Sequence, residues 1–256
     1  MEVGGDGPAV VLIHAGICDS RMWDPQWETF RPLHRVLRYD MRGFGRSTIG
    51  PGNYSNAGDL LDLLEQEDMR KASLVGVSMG GRVALEVAIA RPELVEALVL
   101  VGAGLPGHEW SAEMKAADEA EMAALTGGDL DAAVEVILRT WVDGPRRRPD
   151  EVDSEVRARV AEMQKRAYEL QLPVWKTAEE EPLVGDLAER IGEVGAPTLV
   201  LVGEEDVPDM HEIADRLERE LPNASRASIA DTAHVPSLER PREFDQLVLP
   251  FLQSAQ

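Results

Sequence analysis

Residues 73 to 85 read Ser73-Leu74-Val75-Gly76-Val77-Ser78-Met79-Gly80-Gly81-Arg82-Val83-Ala84-Leu85, and they change character in the middle. Ser73 to Val77 is a short, largely apolar run, as a parallel strand shows when both of its faces are covered. From Arg82 to Arg91 the pattern turns helical and apolar nearly all round, through Val83, Ala84, Leu85, Val87, Ala88 and Ile89, which predicts a buried helix. Gly76-Val77-Ser78-Met79-Gly80 lies at the junction. A serine on such a turn needs a cramped backbone, and small residues two before and two after it let strand and helix approach each other. The turn lifts the hydroxyl above the sheet and aims the first amides of the helix at the same space. A G-x-S-x-G string alone is weak evidence. Where a strand becomes a buried helix it points to a nucleophile rather than to an ordinary serine in a glycine-rich turn.

Outward from this junction, short apolar runs alternate with helical patterns. Ala9 to Ile13, Val36 to Asp40, Ala97 to Val101 and Thr198 to Val202 read as strands, and Ala224 to Ala230 as a weaker one. Ala57 to Arg70 reads as a helix with Leu60, Leu61, Leu63 and Leu64 on one side and Asn56 or Ser55 as its cap. The fold class is therefore α/β, a mostly parallel, doubly wound sheet of about six strands. Between Gly104 and about Asp186 the alternation stops. Leu130, Ala133, Val134, Ile137, Leu138 and Trp141 form one helical stripe, and Val152, Val156, Val160, Met163, Ala167 and Leu170 form another. Gly127-Gly128 and the Pro145 to Pro149 segment break them. We expect residues 1–104 and 187–256 to form the core, and 105–186 to form a helical cap over the carboxyl edge of the strands, where open α/β sheets bind ligands.

Composition narrows the function. The 256 residues carry a net charge of −21, which argues against nucleic acid and anionic membrane surfaces as partners. With 44% hydrophobic and 29% charged residues the chain reads as soluble and globular. Met1 to Asp6 has neither a basic start nor an apolar run, and the apolar stretch Ala97 to Gly104 is too short for a bilayer. The single cysteine, Cys18, forms no internal disulfide, and Cys and His do not cluster as metal ligands. The expectation is a cytoplasmic protein acting on a small molecule, with no metal and no organic cofactor.

A serine hydroxyl needs a base, and the base needs an orienting partner. Of His14, His34, His108, His211 and His234, only His234 follows the last strand and precedes the last helical segment. The acid should follow the strand ending at Gly203, within Glu204-Glu205-Asp206-Val207-Pro208-Asp209. Asp206 is favoured, with Asp209 and Glu205 as competitors. The order Ser78, Asp206, His234 is that of sheet hydrolases rather than of the chymotrypsin or subtilisin arrangements. A tetrahedral intermediate also needs oxyanion donors, each worth about 3–4 kcal/mol. Met79, directly after the serine, supplies one amide. Gly16 in the loop His14-Ala15-Gly16-Ile17 supplies the other, with Ile17 as the alternative, and His14 braces the loop without touching substrate. Ile17, Trp110, Trp141 and Trp175 are candidates for substrate contact, the tryptophans equally for packing the cap onto the core.

Together these segments resemble the α/β-hydrolase superfamily, in particular its small esterase, enol-lactonase and haloperoxidase-like branch. The likeness rests on Leu12-Ile13-His14-Ala15-Gly16 with Trp23 downstream, on Tyr39-Asp40-Met41-Arg42-Gly43-Phe44-Gly45-Arg46-Ser47, and on the serine turn. It extends to Ala196-Pro197-Thr198-Leu199 through Asp206, and to Ala233-His234 through Glu239-Arg240-Pro241. In that family Asp40 to Ser47 is a structural loop beside the site; Gly43-x-Gly45 opens no helix and precedes no G-K-[ST], which excludes a phosphate loop. The chain departs from the pattern in three places. Ala15 stands where glycine is usual, few residues precede Gly4, which predicts a sheet short of one or two edge strands, and Val77 stands where relatives that cleave carbon–carbon bonds often have asparagine. The resemblance implies a serine hydrolase of small carboxylic esters or lactones. The same triad also serves cofactor-free perhydrolysis and carbon–carbon bond hydrolysis, and a catalytically silent ligand-binding protein is the reading from another class.

Overall fold

Alternate residues along the central strands face opposite cores. Val11, Ile13, Leu74, Leu98, Leu100, Val200 and Val202 join one buried cluster, while Val10, Leu12, Val75, Val77, Val99, Val101, Leu199 and Leu201 join another. This period of two, apolar on both sides, is what a parallel sheet covered by helices requires.

The computed structural model describes residues 1–255. In chain order the elements are β1 (Glu2–Gly4), β2 (Ala9–Ile13), α1 (Asp24–Phe30), β3 (Arg35–Arg38), β4 (Gly52–Tyr54), α2 (Asn56–Gln66), β5 (Ala72–Val77), α3 (Met79–Ala90) and β6 (Val95–Val101). The inserted region holds α4 (Ala112–Gly127), α5 (Leu130–Ile137), a π turn over Leu138–Asp143, α6 (Ser154–Gln171) and β7 (Ala178–Glu180). Then come α7 (Leu187–Arg190), β8 (Thr198–Gly203), α8 (Pro208–Glu220), β9 (Ala224–Ile229), α9 (Pro236–Glu239) and α10 (Pro241–Ser254).

The main sheet has seven strands in the order β1-β3-β2-β5-β6-β8-β9. Six are parallel. The seventh, β1, is antiparallel to β3 with Glu2 opposite Arg38, so the sheet has one strand more than the six expected. Three residues suffice for an edge strand because Arg38 also pairs with the Glu2 carboxylate at 2.7 Å. The winding reverses between β2 and β5, which lie side by side with Ile13 opposite Gly76. Such a switch point opens a crevice above the carboxyl ends of the strands.

Element ends differ from the sequence reading for local reasons. Helix α3 starts at Met79, three residues before the apolar pattern begins, because its first turn includes two glycines. Ser55 caps α2, its hydroxyl accepting the Gly58 N–H at 3.2 Å. The inserted helices stay joined to the core at several points. Val160, Met163 and Ala167 of α6 are buried, Arg21 meets Glu162 at 2.5 Å, and Arg82 of α3 donates to Glu180 of β7 at 2.6 Å. Strands β4 and β7 add a second, two-stranded parallel sheet. Among the described residues no helix is long and apolar enough to cross a membrane.

Candidate active site

The serine turn is held from three sides. The Ser78 N–H donates to Val101 O at 2.9 Å, and its carbonyl accepts from Gly104 N at 3.0 Å and Arg82 N at 3.1 Å. These bonds hold φ at +55° and ψ at −114°, a conformation costing on the order of 1–3 kcal/mol in a non-glycine residue. The flanking glycines are required by contact. A Cβ on Gly76 would stand 2.3 Å from Gly80 O, and one on Gly80 would stand 2.4 Å from Ile13 O. Strand, helix and the neighbouring strand thus meet backbone to backbone beneath Ser78.

Strand register sets the other groups at the same rim. Val77 pairs with Val101, Val101 with Leu201, and Gly203 with Ile229, so the loops after β5, β6, β8 and β9 leave the sheet together. Asp206, 1% exposed, lies in the loop after β8. Its Oδ1 accepts the Val207 N–H at 2.9 Å and its Oδ2 accepts His234 Nδ1–H at 2.8 Å. In the neutral ring this bond selects the tautomer with the proton on Nδ1 and the lone pair on Nε2. Both side chains press on Gly102, where a Cβ would come within 3.0 Å of the His234 ring. Gly102 follows Val101, the strand residue whose carbonyl holds the Ser78 amide. Among the described residues the Ser78 hydroxyl forms no hydrogen bond; such legs are often open before substrate binds.

The competing carboxylates are engaged elsewhere. Glu205 pairs with Arg146 at 2.8 Å. Asp209 accepts His108 Nε2–H at 3.1 Å and the Ser111 N–H at 2.8 Å, and these bonds hold its carboxyl below the usual range although burial opposes them. No signal in the sequence had paired Asp209 with His108, since 101 residues separate them.

Beside the serine, Gly16 lies against Met79: a Cβ there would be 3.7 Å from the methionine side chain. The amides of Gly16 and Met79 donate to no group among the described residues. His14 braces this loop from beneath. Its Nδ1–H donates to Ala15 O at 2.8 Å, its Nε2 accepts the Met41 N–H at 2.9 Å, and burial holds its pKa down, so it stays neutral. Ala15, where the resembled family has glycine, is fully buried. Ile17 is buried in the cluster that also holds Met163 and Leu138.

A profile of the Alpha/beta hydrolase family matches residues 10–247. The chain belongs to that family. It is 28% identical to 2-hydroxy-6-oxononadienedioate/2-hydroxy-6-oxononatrienedioate hydrolase of Cupriavidus pinatubonensis, over 98% of this chain and 89% of the relative. It is 24% identical to 3-oxoadipate enol-lactonase 1 of Acinetobacter baylyi, over 98% of this chain and 91% of the relative. Among solved structures, a hydrolase from Pseudomonas aeruginosa superposes with a TM-score of 0.76 at 26% identity, covering 98% of this chain and 92% of the other.

In this hydrolase two of the three singled-out tryptophans stack toward the histidine. Trp110 meets Trp141 edge-on with ring centres 6.4 Å apart, and Trp141 lies 4.4 Å from the His234 ring. Trp175 does not join them. It is 44% exposed, with the Lys176 ammonium 5.5 Å over its ring, so its position gives no support to a pocket role. Among the described residues no three His, Cys, Asp or Glu side chains are placed to hold a metal ion. A cleft of about 590 Å³ is lined by already paired charges such as Arg21, Asp19 and Glu162, and no residue of the serine turn lines it.

Proposed function

We propose that this α/β-hydrolase cleaves small carboxylic esters or lactones through an acyl-enzyme on Ser78. The observation that carries the reading is the buried Asp206–His234 hydrogen bond at 2.8 Å, which leaves Nε2 bare at the rim that also holds the strained Ser78 turn. In this mechanism Nε2 takes the hydroxyl proton as Ser78 Oγ attacks the carbonyl, and Asp206 stabilises the resulting imidazolium. The free amides of Met79 and Gly16 hold the oxyanion. The imidazolium then protonates the leaving alkoxide. A water, deprotonated by the same nitrogen, attacks the acyl group to release the acid and restore Ser78. The likeness to an enol-lactonase supports a lactone or ester carbonyl as the reacting group. Residues 105–186 act as the cap, with Trp110 and Trp141 as its wall beside the base.

The likeness to a hydrolase of dienedioates keeps carbon–carbon cleavage by the same triad as the second reading. Two measurements separate these from a silent binding protein. A fluorophosphonate should label wild-type protein at Ser78 and leave Ser78→Ala unlabelled. A panel of p-nitrophenyl acyl esters of increasing length, simple lactones and an enol-lactone should then show turnover. Labelling without turnover of any of them sinks the ester and lactone assignment; no labelling sinks the serine hydrolase.

A further inference from the structure

The segment just past the π turn grips the loop that carries His234. Arg147, with only 12% of its side chain exposed, spends its whole guanidinium there. Nε donates to Asp143 O at 2.9 Å, Nη2 to Val142 O at 2.7 Å, and Nη1 to Asp231 O at 2.8 Å. Nη1 also pairs with Glu239 Oε2 at 2.8 Å. Glu239, itself 5% exposed on its side chain, turns its other oxygen to accept the Ala233 N–H at 2.7 Å. The next amide, that of His234, donates to Trp141 O at 3.1 Å. Asp231, Ala233 and His234 are therefore all held, directly or through Glu239, by residues 141 to 147 of the inserted region. The grip also presses on the acid loop: a Cβ on Gly144 would stand 2.1 Å from Glu205 O.

We propose that Arg147, acting through Glu239, is a positioning residue for His234. The pair fixes the 231–234 backbone so that the imidazole keeps Nδ1 on Asp206 and leaves Nε2 free to serve the serine. A planar five-donor group suits this task because one side chain reaches three carbonyls and a carboxylate at once, which a lysine does not. The inserted helices then do more than cover substrate; they help assemble the base. This rests on the serine hydrolase reading above.

Two variants test it. Arg147→Lys keeps the charge opposite Glu239 but loses carbonyl contacts; Glu239→Gln keeps an acceptor for Ala233 and loses the charge. In each, the fluorophosphonate labelling rate per folded molecule and kcat should fall by about tenfold to a hundredfold, with KM nearly unchanged. The low-field proton resonance of His234 Nδ1–H should shift or broaden. A purely structural clamp would lower the melting temperature and leave these readouts of the folded protein alone. Should Arg147→Lys not fold, the near-isosteric Glu239→Gln decides. Unchanged labelling, kcat and resonance in folded Glu239→Gln overturn the proposal while wild-type labelling keeps the hydrolase reading. If wild type itself is not labelled, that reading fails, and the resonance alone decides whether Arg147 and Glu239 orient His234.

Discussion

Trp141 and His234 are joined twice: their rings lie 4.4 Å apart at a tilt of 42°, and the Trp141 carbonyl accepts the His234 N–H at 3.1 Å. One residue belongs to the inserted helices and the other to the loop before α9. At the far end of the same ring stack, His108 lies 5.1 Å from Trp110 and bonds Asp209, three residues beyond Asp206. The first and middle parts of the insertion thus converge on the segments that hold the acid and the imidazole.

Trp141→Ala keeps the backbone bond and removes the ring. An aromatic pair contributes about 0.5–1.5 kcal/mol, so a loss of up to about tenfold in kcat is expected if that energy serves to orient the imidazole. Trp141→Phe should recover most of it. Steady-state kinetics on the best ester of the panel checks both.

Asp206→Asn keeps the shape but turns an amide toward His234 and favours the wrong tautomer. A fall of about 10⁴-fold in kcat is expected, with the fold retained. If activity survives near the wild-type level, another carboxylate orients the imidazole, and Glu205 and Asp209 become the residues to change next.

Gly102→Ala puts a methyl 3.0 Å from the His234 ring and 3.3 Å from Asp206 Oδ2, at a φ of +45°. Displacing this pair should lower kcat by about a hundredfold with a smaller effect on KM. Gly76→Ala meets unyielding backbone at 2.3 Å instead. It should destabilise the whole fold, by about 3 kcal/mol in denaturant unfolding.

His14 sets a pH dependence of stability. Burial holds its folded pKa below the ordinary 6.5, so on acidification the unfolded chain takes up a proton that the folded chain refuses. Stability is therefore full above the unfolded value and drains away as pH falls toward the folded one. The melting temperature should start to drop as pH falls through about 6.5, the ordinary histidine value, and His14→Gln should flatten that slope. An identical slope in the variant would show that other groups carry the acid sensitivity.

Much was legible in the residue order. The two apolar strand periods, the glycines about Ser78 and the Ser–Asp–His order all follow from local requirements, since burial imposes a period and a close backbone approach excludes a side chain. The apolar runs mark the six parallel strands to within a few residues of their ends. They do not mark the antiparallel β1, because three residues carry no periodicity and its strand is specified by its partner Arg35–Arg38.

Distance along the chain hides the rest. Glu204, Glu205, Asp206 and Asp209 are alike as a string of acids; what separates them is which cation or imidazole the folded chain brings opposite each one. His234 comes to Asp206, Arg146 to Glu205 and His108 to Asp209. Trp141 and Trp175 are equal candidates as sequence; in the fold one lies against the imidazole and the other is 44% exposed. Nothing in the string Arg146-Arg147-Arg148 distinguishes Arg147, yet the three identical side chains take three different fates. Local sequence encodes which surfaces are buried, whereas pairing across dozens of residues is fixed only when helices and strands pack and each charge must find a partner or face solvent.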